Sequence, residues 1–145
     1  MQSNDLAGRG LTNWRSFALE TEKDLLSNLP TCYGVYSIRF PRPERRLRGE
    51  SDIAYIGKAT NRNGLRGRIR QYFHPGWLQS TNLDMKDRLV RRIALECACV
   101  GMDGAADAID LESEILLAFE MEHGERPPYN KQAALAHLFR TKAGE

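Results

Sequence analysis

The sequence predicts an α+β fold: a small three-stranded antiparallel sheet flanked by helices. Three observations carry this. Short runs at 33–40, 53–57 and 93–100 are rich in β-branched, aromatic and small apolar residues and are bounded by turn formers. Other stretches, at 65–73 and 104–123, place apolar residues at helical spacing. The chain has 145 residues, enough for one ordinary domain.

Taken in order, Trp14 to Leu29 reads as a helix, with Trp14, Phe17, Ala18, Leu25 and Leu26 on its buried side and Pro30 as its stop. Tyr33 to Phe40 is a strand ended by Pro41, and Pro41 to Asp52 is a polar, arginine-rich loop. Ile53 to Gly57 is a second strand, near enough to pair antiparallel with the first. Asn61 to Gly64 is a turn by its composition. Leu65, Ile69, Tyr72 and Phe73 mark a short helix packed on the sheet, closed by His74-Pro75-Gly76. A further helix follows from Leu83 to Arg92, then a third strand from Ile93 to Val100 with Cys97 and Cys99 on one face. Asp103 is placed to cap a long helix from Gly104 to His123, with Gly124 as its C-terminal stop. Pro127-Pro128 forces an extended turn, and Lys131 to Phe139 reads as a final helix.

Hydrophobic residues make up 41% and charged residues 28%, the balance of a soluble globular protein with a modest core. No apolar run approaches the roughly 18 residues of a membrane span, so no membrane partner is expected. The N-terminus lacks the pattern of a secretory signal. Cys32, Cys97 and Cys99 fit neither a paired disulfide set nor a CxxC knuckle, so a reduced, cytoplasmic setting is expected. The net charge of +2 conceals a segregation. Residues 39–92 hold fourteen basic and five acidic residues, whereas 93–145 hold four basic and ten acidic. A block of +9, mostly arginine, is the electrostatic footprint of a polyanion-binding surface.

On a helical wheel of about 100° per residue, Glu112 falls inside the apolar arc formed by Leu111, Ile115, Ala108, Phe119 and Leu116, while Glu114 falls outside it. A carboxylate on an apolar face must be paired or must bind a cation; an arginine salt bridge and a metal both satisfy this. Arg68 and Tyr72, four apart, share a helix face, and arginine offers a planar fork suited to phosphate oxygens. In the strands Gly34 shares a face with Tyr36, and Tyr55 with Gly57. Two tyrosines beside such glycines can project hydroxyls into one pocket.

The combination is specific where each part alone is not. Gly34-Val-Tyr36, Tyr55-Ile-Gly57-Lys58, the arginine helix Leu65-Arg-Gly-Arg68-Ile-Arg-Gln-Tyr72-Phe73, the segment Leu111-Glu112-Ser-Glu-Ile-Leu116 and Pro127-Pro-Tyr-Asn130 follow one another as in the GIY-YIG nuclease family. The chain resembles its UvrC-type members over roughly residues 31–132, leaving residues 1–30 as a helical extension and 41–52 as a basic insert. The loop between the first two strings is longer and more basic than in compact members, and the stretch from Glu112 to Asn130 is longer too.

The resemblance implies a DNA endonuclease with a single divalent cation, Mg²⁺ or Mn²⁺, held by Glu112. It implies a catalytic set of Tyr36, Tyr55, Lys58, Arg68, Tyr72, Glu112 and Asn130. Arg68 would stabilise phosphoryl charge, and Asn130 would orient the Glu112 helix or the metal's waters. A tyrosine of pKa near 10 is only about 0.1% ionised at pH 7, a deficit of roughly 4 kcal/mol. Lys58, Arg68 and the cation are expected to lower that pKa. Tyr36 is assigned as base, with Tyr55 as substrate-orienting partner or the alternative base. Tyr72 and His74 are secondary candidates, and His123 and His137 are packing or surface residues. Within the basic segment, Arg45, Arg46, Arg48, Arg62, Arg66, Arg70 and His74 are assigned to the phosphate backbone. A protein partner or a homodimer is compatible with these features. A non-catalytic binding module, or a subunit of a larger repair or restriction complex, is the competing reading.

Overall fold

The computed structural model describes residues 1–75 and 80–130. In chain order it holds β1 (Thr12–Phe17), α1 (Glu22–Ser27), β2 (Tyr33–Arg45), β3 (Glu50–Ala59), α2 (Gly64–Phe73), α3 (Ser80–Val90), β4 (Leu95–Met102) and α4 (Ala105–His123), with 3-10 turns at Ser3–Arg9 and Leu19–Thr21. The strands form an antiparallel sheet in the order β1-β4-β2-β3. The α+β class agrees with expectation, but the sheet has four strands rather than three.

The additional strand comes from the segment expected to be helical. Residues 14–29 divide into β1, a 3-10 turn and the short α1, so residues 1–30 are not simply a helical extension. Phe17 and Leu25 are buried as expected, but Phe17 reaches the core from a strand. The partner of β1 is β4, about 80 residues further on, a pairing that local periodicity cannot report. Asn13 adopts a left-handed conformation (φ 58), and the register shifts between Thr12 and Arg15.

The expected loop at 41–52 is instead a hairpin. Strand β2 continues to Arg45, β3 begins at Glu50, and the Arg46 N–H donates to the Gly49 carbonyl at 2.9 Å across the turn. Pro41 and Pro43 are tolerated because the pairing of β2 with β4 ends at Arg39. Beyond that point β2 has one neighbour, and the ladder skips from Arg39 to Glu44. Helix α3 begins three residues before the expected Leu83, and Gly104, not Asp103, is the N-cap of α4. Gly124 closes α4 as expected, with φ 77 and its N–H on the Glu120 carbonyl at 2.8 Å. The helix expected over 131–139, and His137 within it, lie outside the described residues.

The sheet separates two cores. Toward α1, α2 and α3 it presents Phe17, Tyr36 and Ile38, which pack with Leu65, Ile69, Tyr72 and Met85. Toward α4 it presents Val35, Ile53 and Ile56, which pack with Ala108, Ile115 and Phe119. Alternation along β2 and β3 divides the side chains between the layers. Each fully buried aliphatic or aromatic side chain contributes about 1.5–3 kcal/mol to the hydrophobic term.

Helix α2 is fixed at its start by the segment before β2. The Leu65 and Arg66 N–H groups donate to the carbonyls of Cys32 and Pro30 at 2.9 and 3.0 Å. Gly64 has φ 64, and a Cβ there would lie 2.0 Å from the Thr31 carbonyl oxygen, so only glycine fits. Among the described residues, no helix is long and apolar enough to cross a membrane.

Candidate active site

Strand β3 is an edge strand, so side chains from both of its faces reach the same margin of the sheet. Tyr55 and Gly57 face α2, while Lys58 faces α4. Tyr55, Lys58, Arg68 and Glu112 line an open cleft of about 390 Å³ together with Asn61 and Gln71. Glu112 is the acidic group of this cleft. Its side chain is 12% exposed, and its Oε1 accepts from Lys58 Nζ at 3.0 Å. The Glu114 side chain is 60% exposed and pairs with Arg9. The wheel therefore distinguishes the two glutamates correctly, but the partner of Glu112 is a lysine rather than an arginine.

Three tyrosines meet behind the cleft, with centroids 5.9 to 6.2 Å apart. Tyr36 and Tyr72 are fully buried, and their hydroxyls hydrogen-bond to each other at 2.5 Å. Tyr36 pairs in register with Gly57. A Cβ at position 57 would lie 2.5 Å from Tyr36 Cζ and 2.5 Å from Tyr55 Cε1, so the glycine makes room for both rings. Only Tyr55 of the three is partly exposed. Burial holds the Tyr36 and Tyr72 phenols well above the ordinary tyrosine value, against the downward pull of Arg68. The expectation that neighbouring cations lower the pKa of Tyr36 is thus reversed, because desolvation outweighs the nearby positive charge.

Arg68 is half-buried, with its guanidinium carbon 4.9 Å from the Tyr72 ring centroid. Its Nη1 donates to Gln71 Oε1 at 2.9 Å and to Asn82 Oδ1 at 3.3 Å. Sequence reasoning missed both partners. Gln71 carried a usable signal, since it lies three residues from Arg68 on one helix; Asn82 carried none.

The hydrogen bonds of Asn130 run to β3. Its Oδ1 accepts from the Ile56 N–H at 2.9 Å, and its Nδ2 donates to the Ile56 carbonyl at 2.7 Å. The carboxamide thus substitutes for a neighbouring strand along the outer edge of β3 at Ile56, between Tyr55 and Gly57. Asn130 was expected to orient the glutamate helix or a metal's waters; the hydrogen bonds it makes here hold the edge of β3.

The arginines of the basic segment do not act as one surface. Arg39, Arg46 and Arg91 hold ion pairs with Glu96, Glu125 and Asp87. Arg48 donates to the Met121 carbonyl, Arg66 to the Leu29 carbonyl and Lys86 to the Phe73 carbonyl. Arg88 lies over the Phe40 and Tyr129 rings. Arg46 and Arg48 therefore fasten the hairpin to the C-terminal end of α4, where His123, buried as a packing residue, faces the Arg48 carbonyl at 2.7 Å. His74 is exposed, with its Nε2 2.7 Å from Glu22 Oε1. Arg42, Arg45, Arg62, Arg70 and Arg92 are exposed and hold no ion pair among the described residues.

The cleft thus combines one carboxylate, one ammonium, one guanidinium and one accessible phenol around an open, polar space. Among the described residues, no group of three or more His, Cys, Asp or Glu is placed to form a metal cage.

No family model matches the chain. It is 30% identical over 110 residues to the UvrABC system protein C of Caldicellulosiruptor saccharolyticus, a match covering 76% of this chain and 15% of that protein. It is 43% identical over 51 residues to the corresponding protein of Prosthecochloris aestuarii, covering 35% of this chain and 6% of that one. The chain thus spans only a small part of the curated relatives it matches. Among solved structures it is similar to the GIY-YIG N-terminal endonuclease domain of UvrC from Thermotoga maritima, which is bound to its catalytic divalent cation, magnesium. That likeness has a TM-score of 0.47 at 20% identity and covers 76% of this chain and 96% of the other. With its motifs in order on an α+β fold and its UvrC similarity over most of its length, this chain carries a GIY-YIG, UvrC-like domain.

Proposed function

We propose that this chain is a metal-dependent endonuclease that hydrolyses phosphodiester bonds in DNA. The observation that carries the reading is the convergence of Tyr55, Lys58, Arg68 and Glu112 on one open cleft at the edge of β3. The residues fit a single Mg²⁺ or Mn²⁺. Mg²⁺ keeps several waters and needs few protein carboxylates, and Glu112 offers one beside a polar, open space. When bound, such a cation supplies Lewis-acid stabilisation of the phosphoryl and leaving oxygens.

Arg68 binds the phosphate oxygens from the α2 side. Its permanent charge, oriented by Gln71 and Asn82, stabilises the negative charge of the transition state. Tyr55 is the base: it is the only partly exposed hydroxyl of the three tyrosines, and in its phenolate form it takes a proton from the water whose oxygen bonds to phosphorus as the P–O bond to the leaving oxygen breaks. Tyr36 is a positioning residue, buried against Tyr72 and protonated through the neutral range. Lys58 holds the Glu112 carboxylate at the mouth of the cleft.

The test is plasmid nicking in Mg²⁺ and in Mn²⁺. Glu112→Ala should abolish cleavage while leaving DNA binding largely intact, because it removes the cation site and no basic surface. Arg68→Ala should lower turnover more than affinity. A Glu112→Ala protein that nicks at the wild-type rate refutes the reading.

A further inference from the structure

Resting on the nuclease reading, we infer that the DNA strand bearing the scissile bond continues over the outer face of α2, in a basic groove joined to the catalytic cleft at Gln71. The groove has a volume of about 530 Å³ and is lined by Asn63, Arg66, Gly67, Arg70, Gln71 and His74. Gln71 also lines the cleft that holds Arg68 and Glu112, so the two spaces share a wall. Arg62 stands between Asn61, which lines the cleft, and Asn63, which lines the groove.

The chemistry of the groove selects a polyanionic backbone. Arg66, Arg70 and His74 follow at four-residue intervals, a rise of about 6 Å each along the helix, comparable to the separation of neighbouring phosphates on one strand. Arg66 is held in place by its Nε and Nη2 bonds to the Leu29 carbonyl at 3.0 and 2.8 Å, which leaves Nη1 outside that pair. Arg62 and Arg70 are exposed, without an ion pair among the described residues. His74 lies against Glu22, so it adds a hydrogen-bonding group rather than net charge. The N–H groups of Leu65, Arg66 and Gly67 at the start of α2 already donate to protein carbonyls, so the side chains, not the helix terminus, make this surface.

The basic hairpin is a weaker alternative. Arg46 and Arg48 are engaged with Glu125 and the Met121 carbonyl. The hairpin tip lies beside His123, eleven residues along α4 from Glu112, or about 16 Å of helix. The groove contacts phosphates rather than base edges, so its contribution is independent of sequence.

The test measures DNA binding against salt in a Glu112→Gln background, which prevents cleavage. Each phosphate contact contributes about 0.9 to the slope of log K against log[salt] for duplex and about 0.7 for single strands. Arg62→Ala with Arg70→Ala should therefore reduce the slope by about 1.8 on duplex, or about 1.4 on a single strand, and weaken low-salt binding at least tenfold. Arg62→Lys with Arg70→Lys should keep the slope. Arg42→Ala with Arg92→Ala removes the same charge elsewhere and should leave it unchanged. An unchanged slope in the Arg62/Arg70 alanine pair, or an equal loss in the Arg42/Arg92 pair, overturns the inference. A wild-type protein that never nicks plasmid, while the Arg62/Arg70 pair still loses slope, overturns the nuclease reading and leaves the groove standing.

Discussion

Replacing Asn130 with alanine isolates what holds β3, the strand that carries the candidate site, in place. The carboxamide makes two bonds, at 2.9 and 2.7 Å, to the backbone of Ile56, a residue with no exposed surface. Among the described residues β3 pairs only with β2, so no other strand takes over these two bonds. Truncation leaves one buried N–H and one buried carbonyl unpaired, at about 1–3 kcal/mol each. A total near 3 kcal/mol follows, or about 10 °C in melting temperature for a domain of this size. Asn130→Asp retains the acceptor for the N–H but sets an oxygen against the Ile56 carbonyl, and should cost at least as much. Urea denaturation of the three proteins gives the stabilities. Nicking rates well below the melting range then report the alignment of Tyr55 and Gly57, which flank Ile56. A loss of less than about 0.5 kcal/mol for Asn130→Ala would show that water or a neighbour satisfies the edge, and the reasoning would fail.

Other perturbations probe separate parts of the structure. Gly57→Ala places a methyl 2.5 Å from both the Tyr36 and Tyr55 rings; overpacking of about 1–3 kcal/mol and a large fall in kcat are expected, measured by melting and single-turnover cleavage. Arg46→Ala removes a charge-assisted hydrogen bond to the mostly buried Glu125 and should destabilise by about 1.5–3 kcal/mol, with the salt slope of DNA binding unchanged. Tyr36 and Tyr72 have folded-state pKa values above the unfolded value near 10. Unfolding therefore releases protons at alkaline pH, so stability holds up to about pH 10 and falls above it. Urea midpoints between about pH 9 and 11 should fall less steeply in Tyr36→Phe than in the wild type.

Much of the site was legible because its signals are local. The placement of Glu112 follows from the periodicity of a nineteen-residue helix, and the end of that helix from Gly124, whose left-handed φ no ordinary side chain adopts easily. Proximity of Arg68 to Tyr72 follows from four-residue spacing. What escaped depends on distant partners. A six-residue edge strand such as β1 shows too few turns of any period to be told from a helix, and its identity is set by β4. The arginines of 39–48 suggested a solvated binding loop because composition does not reveal that Glu96, Glu125 and the end of α4 would meet them. The state of Tyr36 depends on how completely Tyr72 and its neighbours cover it, a property of packing rather than of the motif.

The position of β3 at the margin between two separately packed layers divides the proposed active site by address. Tyr55 and Arg68 answer to the layer beneath α2, and Lys58 and Glu112 to the layer beneath α4. A cavity made at Ile69 would loosen the guanidinium and the phenol while leaving the carboxylate in register; one made at Ile115 would do the reverse. If the proposed roles hold, substitutions far from the cleft should sort into two kinetic phenotypes, one in water activation and charge stabilisation, the other in the concentration of metal required. The two sides of the cleft can thus be perturbed independently from the interior of the protein.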